Sequence, residues 1–264
     1  MIKKIGITGG TGLLGKILIK ILKKKNIHYS CYKKDIRKIA DIKKWLNNNK
    51  DINIIFHLAA IVPIKKVNKY KNHSKEVNFQ GSKNLYNAIN QLNRSVWFFF
   101  ASTSHVYKAK NKPLKESDKT RPTSFYGVTK LMTEKFLLKN KNKRITICIG
   151  RIFSMFHKNQ EKPYFYPSMI SKFKNKKNIS GKLLTLQGGN SLRDFTNAEK
   201  IAEIIIKLSK KNSKGIFNIG SGIKITLLEF VKKYININIK INGIGKSDMV
   251  VANVLKLKKL SILK

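Results

Sequence analysis

Cysteine is scarce in this chain: only Cys31 and Cys148 occur in 264 residues, both in apolar stretches and without C-x-x-C spacing. That excludes a disulfide scaffold and a cysteine metal site, and it points to a reducing compartment, the cytoplasm. Acidic residues are scarce too, 13 Asp and Glu against 56 Lys and Arg, for a formal charge of +43. The lysines run through the whole chain and form no basic arm or single helix face. Asn and Ile are also abundant, and all three share A/U-rich codons, so coding composition is the simpler source of the charge. An anionic ligand suits such a chain, and a nucleic-acid partner is disfavoured. No apolar run approaches the roughly 20 residues that span a bilayer, so no membrane partner is expected. The first residues already read as a strand and a glycine turn, so no signal peptide is expected either. No internal repeat is present. A hydrophobic content of 42% nevertheless excludes a disordered polybasic tail and supplies a packed core.

What the chain does have begins at its N-terminus. Ile5 and Ile7 alternate into Thr8-Gly9-Gly10-Thr11-Gly12-Leu13-Leu14-Gly15, and a helical pattern (Leu14, Ile17, Leu18, Ile21, Leu22) follows at once. Gly9, Gly12 and Gly15 stand at G-x-x-G-x-x-G spacing. One glycine turns the chain, one admits a pyrophosphate to the backbone, and one lets helix and strand pack closely. The helix start offers unpaired N–H groups and a positive dipole end to phosphate.

Strands and helices then alternate. Ile27–Tyr32 reads as a second strand, ending in Tyr32-Lys33-Lys34 where dinucleotide folds usually carry a ribose-binding acid. The missing acid leaves NAD or NADP open, since a lysine would suit the extra phosphate of NADP. Ile52–Ala60 reads as a buried strand ending in small residues, with His57 as a satisfied core histidine. Val96–Ala101 is a continuous apolar run suited to a central parallel strand, and it delivers Ser102-Thr103-Ser104-His105 to the sheet edge. The alternation predicts an α/β fold, a Rossmann-type doubly wound parallel sheet with a small C-terminal substrate-binding annex. The expected division is 1–150 for the NAD(P)-binding domain and 151–264 for the substrate region, with segments near 195–220 returning to the sheet. Pro163–Pro167 reads as a substrate-covering loop, and the Lys/Asn run at 174–178 as a solvated one.

Tyr126 and Lys130, at i and i+4, face one side of a helix. An ammonium beside a phenol is expected to lower its pKa from about 10. Such a tyrosine exchanges a proton with a sugar hydroxyl while a nicotinamide moves the hydride. Thr103 is placed to orient the same oxygen. Tyr29 and Lys33 share the spacing by chance, so the case for Tyr126 rests on the order of glycine turn, Thr103 strand and Tyr/Lys helix.

In that order the sequence resembles an extended short-chain dehydrogenase/reductase of the NAD-dependent epimerase/dehydratase family, which acts on nucleotide sugars. The resemblance covers almost the whole chain. It implies cofactor contacts at Gly9, Thr11, Gly12, Leu13, Leu14 and Gly15, at Asp35 and Ile36, at Leu58, Ala59 and Ala60, and at Tyr126 and Lys130. Asn78 with Gly81 matches the family's N-x-x-G element, and Phe217–Gly222 its N-I-G-S/G-G turn. Thr103, Tyr126 and Lys130 fall on the catalytic positions. Thr103, Ser104 and Arg193 fall on substrate positions, Arg193 as the diphosphate ligand within Arg193-Asp194-Phe195. A homodimer through two helices is also implied.

The departures sharpen the reading. Ser104 and His105 stand where family dehydratases carry an Asp-Glu pair, which argues against a dehydratase. Lys200 replaces the usual acid of the R-D-F-x-x-V-x-D motif, and Ser154, His157 and Lys158 make the substrate loop atypical. The segment after Gly222 is short for a 4-epimerase. The expected activity is an NAD(P)-dependent nucleotide-sugar epimerase or 4-keto-sugar reductase. A cofactor-binding or nucleic-acid-binding protein without turnover is the alternative.

Overall fold

The computed structural model describes residues 4–140, 142–174, 184–235 and 241–263. The first strand and helix of the glycine motif are β1 (Lys4–Thr8) and α1 (Leu13–Lys24). Then come β2 (Tyr29–Tyr32), α2 (Ile39–Asn47) and β3 (Ile52–His57). Two short helices, α3 (Ile64–Lys69) and α4 (Lys71–Lys75), lead through a π-helical turn at Glu76–Gln80 into α5 (Gly81–Asn90). β4 (Val96–Thr103) ends in a 3₁₀ turn at Ser104–Val106, and α6 (Phe125–Lys139) and β5 (Ile145–Ile152) follow.

In the C-terminal part, β6 (Ser154–Phe156) and α7 (Phe165–Lys174) precede β7 (Leu184–Gln187), β8 (Leu192–Arg193) and β9 (Phe195–Asn197). Next are α8 (Ala198–Lys210), β10 (Gly215–Ile219), β11 (Ile225–Thr226) and α9 (Leu227–Ile235). β12 (Ile241–Ile244), β13 (Met249–Val250) and α10 (Leu255–Lys259) close the described chain. Residues 165–167, read as loop, form the first turn of α7, where Pro167 loses no intrahelical hydrogen bond. Residues 175–178 of the Lys/Asn run lie outside the described residues.

The main sheet is six-stranded and parallel, in the order β10-β5-β4-β3-β1-β2. The chain goes from β1 outward to β2 and then crosses back to β3, so the turn after β1 lies where the winding reverses. Ligands bind in that crevice in open α/β sheets. β4 is buried at every residue because helices cover both faces. Trp97 and Phe99 face a core shared with Leu14, Leu18 and Leu22 of α1 and with Ile201, Ile205 and Leu208 of α8. Phe98 and Phe100, one residue out of phase, face Leu46 of α2, Leu85 and Ile89 of α5 and Leu137 of α6.

The expected division at residue 150 falls within β5, which runs on to Ile152 and pairs with β10. α8 and β10 belong to the main sheet and its core. Over the carboxyl ends of the strands lies a smaller layer, with β8 between β11 and β13, β7 paired to β12, and β6 to β9. Its interior is aromatic: Phe195 stacks on Phe230 at 3.8 Å between ring centroids, and Phe156 and Phe165 stand against the same ring.

Candidate active site

The glycine turn is built as its spacing requires. Gly9 adopts φ +75°, and a Cβ there would stand 2.5 Å from the Ala59 nitrogen, while one on Gly15 would meet the Gly9 carbonyl at 2.4 Å. The turn is thus pressed onto Leu58-Ala59 and the start of α1. No side chain caps α1 and no acid sits in its first turn, so its N–H groups are left to an anion. Such a cradle fits a pyrophosphate.

A single cleft of about 2360 Å³ runs over the strand ends, more than twice the roughly 1,000 Å³ of a large small-molecule site. It has room for two ligands side by side. Its walls include Gly9–Gly15, Asp35 and Ile36, Leu58–Ala60, Thr103 to His105, Tyr126, Lys130 and Arg193. All the residues expected to hold cofactor or substrate therefore face one cavity.

At the far end of β2, Asp35 is bound by Arg37 through three bonds of 2.6 to 3.0 Å, and this holds its carboxyl down at about 2. Lys34 pairs with Asp41 at 2.8 Å, whereas Lys33 has no ion pair among the described residues. Both lysines line the cleft.

His57 is completely enclosed. Its two nitrogens meet the hydroxyls of Thr8 at 2.6 Å and Ser82 at 2.7 Å, and burial, with Lys130 nearby, lowers its pKa to about 3. It is a satisfied, neutral core histidine. Asn78 accepts from the Ile61 N–H at 2.7 Å, donates to the Ile61 carbonyl at 2.9 Å and reaches Thr129 at 3.3 Å. That ties the strip beyond β3 to α6.

Helix α6 carries Tyr126 and Lys130. Ser124 caps it by accepting from the Gly127 N–H at 3.2 Å. Its second residue, Tyr126, lies by the Thr103 hydroxyl at the end of β4, which bears on the phenol. The Lys130 ammonium donates to the Ala101 carbonyl at 2.8 Å and lies 4.8 Å from the Phe100 ring centre and 5.9 Å from that of Tyr126. Thr103, Tyr126 and Lys130 are all under a tenth exposed.

The electrostatics depart from the sequence expectation. The Tyr126 phenol is pushed up, not down: burial dominates, the nearby Tyr164 adds to it, and the Thr103 hydrogen bond only partly opposes both. Lys130 moves instead, lowered by burial to about 7, with Glu134 pulling the other way. In a water-poor site the desolvation cost of charge outweighs one cation some 6 Å away. The Tyr126 phenol is thereby held in its protonated form.

Arg193, on β8, faces the cleft and is ion-paired to Asp248 at 2.8 Å. Asp194 points the other way and accepts from the Ser221 N–H, the Ser221 hydroxyl and the Gly222 N–H, all within 2.8 Å. That ties β8 to the turn following β10. Ser104 and His105 form the 3₁₀ turn beside Tyr126, with the His105 ring edge-on to the phenol at 5.9 Å. Burial and then Arg193 lower the pKa of His105.

Tyr164, within the segment 163–167 expected to cover substrate, lines the cleft. Two groups escaped the sequence reading. Gln160 lines the cleft from the segment before α7, and the second is a buried carboxylate, Glu134, held by Arg151. Its signal was the same four-residue step that joins Tyr126 to Lys130.

The family model described as "NAD dependent epimerase/dehydratase family" matches residues 5–220. The chain belongs to that family. An uncharacterized UDP-glucose epimerase, YtcB, of Bacillus subtilis (strain 168) is 28% identical over 260 residues, covering 86% of this chain and 80% of that protein. GDP-6-deoxy-D-talose 4-dehydrogenase of Aggregatibacter actinomycetemcomitans is 27% identical over 257 residues, covering 94% and 84%. The dTDP-4-dehydrorhamnose reductase of Bacillus anthracis str. Ames, solved with NADP, superposes with a TM-score of 0.85 at 20% identity, covering 100% of this chain and 94% of that one. Family membership makes the chain one of the NAD(P)-dependent epimerases, dehydratases and reductases, and the solved structure shares its Rossmann-type fold. No helix among the described residues is long and apolar enough to cross a membrane.

Proposed function

We propose that this family member is a nucleotide-sugar 4-keto reductase that draws on NADPH. The observation that carries the reading is the end of β2, where Asp35 is engaged by Arg37 and Lys33, without an ion pair among the described residues, stands on the cleft wall. An unpaired lysine favours a ribose bearing a phosphate, and an acid already bonded to arginine is a poor partner for ribose hydroxyls. When bound, the nicotinamide supplies the hydride.

The chain's own residues do the rest. Tyr126, protonated at rest, gives its proton to the sugar oxygen, and Thr103 holds that oxygen in line. Lys130 stabilises the phenolate left behind and donates to the nicotinamide ribose. Arg193 holds the substrate diphosphate, with Asp248 fixing its guanidinium. The turn of Gly9, Thr11, Gly12, Leu13, Leu14 and Gly15 takes the pyrophosphate. Ile36, Leu58, Ala59 and Ala60 line the adenine and nicotinamide sides.

The matching of the whole motif set, and the relative called a UDP-glucose epimerase, favour a second reading, an epimerase that keeps its cofactor. One stoichiometry experiment separates the two. The purified protein is incubated with NADPH or NADH and UDP-, GDP- and dTDP-linked sugars and 4-keto sugars, and cofactor and sugar are followed together. Product formed mole for mole with NADPH oxidised is the expected result. Sugar inverted without net cofactor loss would establish the epimerase. Neither change, with Tyr126→Phe indistinguishable from wild type, would overturn both readings.

A further inference from the structure

Glu134 is a buried carboxylate that this chemistry leaves without a role. It is 1% exposed in a helix whose buried face is polar at Tyr126, Thr129, Lys130, Thr133 and Glu134. Arg151, itself 4% exposed, grips it through Nε at 3.1 Å to both oxygens and through Nη2 at 2.6 Å. The Ser102 hydroxyl donates to the same carboxylate. Ser102 lies between Ala101, whose carbonyl receives the Lys130 ammonium, and Thr103, which meets Tyr126. Arg151 continues through Tyr107 at 2.7 Å to Asn218 of β10 at 2.8 Å. Glu134 therefore touches the reacting set from two sides, through the end of β4 and along its own helix.

Lys130 is enclosed by few charged groups. On its own helix stand the Tyr126 phenol and, one turn on, Glu134. From β4 come the Phe100 ring and the Ala101 carbonyl, and from β3 the neutral His57. Arg151 of β5 lies beyond Glu134 and is occupied by it. An ammonium buried this far loses its proton unless a counter-charge holds it. Among these neighbours only Glu134 is an anion.

Resting on the reductase reading for what Lys130 does, we infer that Glu134 is a positioning residue of the reaction: its carboxylate, one helical turn on, is the anionic neighbour that strengthens Lys130's hold on its proton, and its bond to Ser102 sets the strand end that carries Thr103. Arg151 is then the brace that makes a buried carboxylate affordable.

Glu134→Gln alone leaves Arg151 buried without a partner and threatens folding. The test is therefore run on that variant and on Glu134→Gln/Arg151→Met, which removes both charges. Glu134→Asp and Ser102→Ala keep the carboxylate charge and serve as comparisons. Two quantities are measured against pH: NADPH affinity by fluorescence, and kcat/KM on the 4-keto sugar. Wild-type kcat/KM should fall as pH rises through the deprotonation of Lys130. In both Gln-containing proteins that midpoint, and the matching one in NADPH affinity, should move to lower pH by about one unit or more, which is about tenfold in proton affinity. Glu134→Asp and Ser102→Ala should keep the wild-type midpoint. A folded double variant with an unshifted midpoint in both measurements would overturn the inference and leave Glu134 as a brace of the fold. If the wild type turns over no nucleotide sugar, the reductase reading fails, and the NADPH titration still decides whether Glu134 controls Lys130.

Discussion

At the residue scale, the site works by desolvation more than by charge pairing. Tyr126 sits in surroundings that raise its pKa, so the phenol keeps its proton. Tyr126→Phe keeps the ring and removes the hydroxyl. Turnover should fall by about 10² to 10⁴-fold, the usual worth of general acid catalysis, while NADPH affinity measured by fluorescence stays near wild type. Lys33 makes a separate prediction. Lys33→Glu should weaken NADPH more than NADH, by about tenfold or more for a lost charge-assisted phosphate contact, measured by comparing KM for the two cofactors.

His57 predicts the acid limb of stability. Its folded pKa lies near 3, below the ordinary 6.5. The unfolded chain therefore binds the proton more readily, and the stability associated with neutral His57 is complete above about pH 6.5 and lost as pH falls toward 3. Chemical denaturation at several pH values should show the midpoint falling below about pH 6.5, and a His57→Gln variant, if folded, should lose that dependence.

At the element scale, the site depends on where α6 meets the 3₁₀ turn after β4. A Cβ on Gly127 would come within 2.3 Å of the His105 carbonyl oxygen, so the helix reaches the turn only because this residue has none. Gly127→Ala must push the two apart, separating Tyr126 from Thr103. A loss of ~1–3 kcal/mol is expected, read by denaturant unfolding, together with a drop in kcat that exceeds any change in NADPH affinity. Leu18→Ala, in the core between α1 and the sheet, should instead cost ~2–5 kcal/mol with activity retained per folded molecule.

Element reading was also where the sequence was most legible. β1, α1, β3 and β4 each carry an apolar alternation, period or run, and α6 is marked by its Tyr126/Lys130 pair. α6 shows where legibility ends. Glu134 in a helix with Lys130, Lys135 and Lys139 reads as one more solvated charge, because residue type marks a face as polar without saying that it is buried.

At the scale of the whole molecule, the charge of +43 is spread over the surface and also lines the cleft, Lys33 and Lys34 among its walls. The described ion pairs are few, and all but the buried Arg151–Glu134 pair have at least one partly or fully exposed side chain. Like charges spread over one globule repel, and salt screens them over about 10 Å at 0.1 M. The melting temperature should therefore rise between ~20 mM and ~300 mM NaCl. Binding to single-stranded RNA, if seen at the lower salt, should collapse at the higher without sequence preference.

The sequence alone determined the alternation of strands and helices through the main sheet, the glycine turn and the residues proposed to react. These depend on local periodicity and on residue types that few other structures tolerate in that order. It could not determine the sign of the Tyr126 shift, the engagement of Asp35 by Arg37, or the burial of Glu134 against Arg151. Each of these depends on which groups, far apart in the chain, exclude water from one another. Desolvation is a property of the assembled neighbourhood, and only the tertiary structure assembles it.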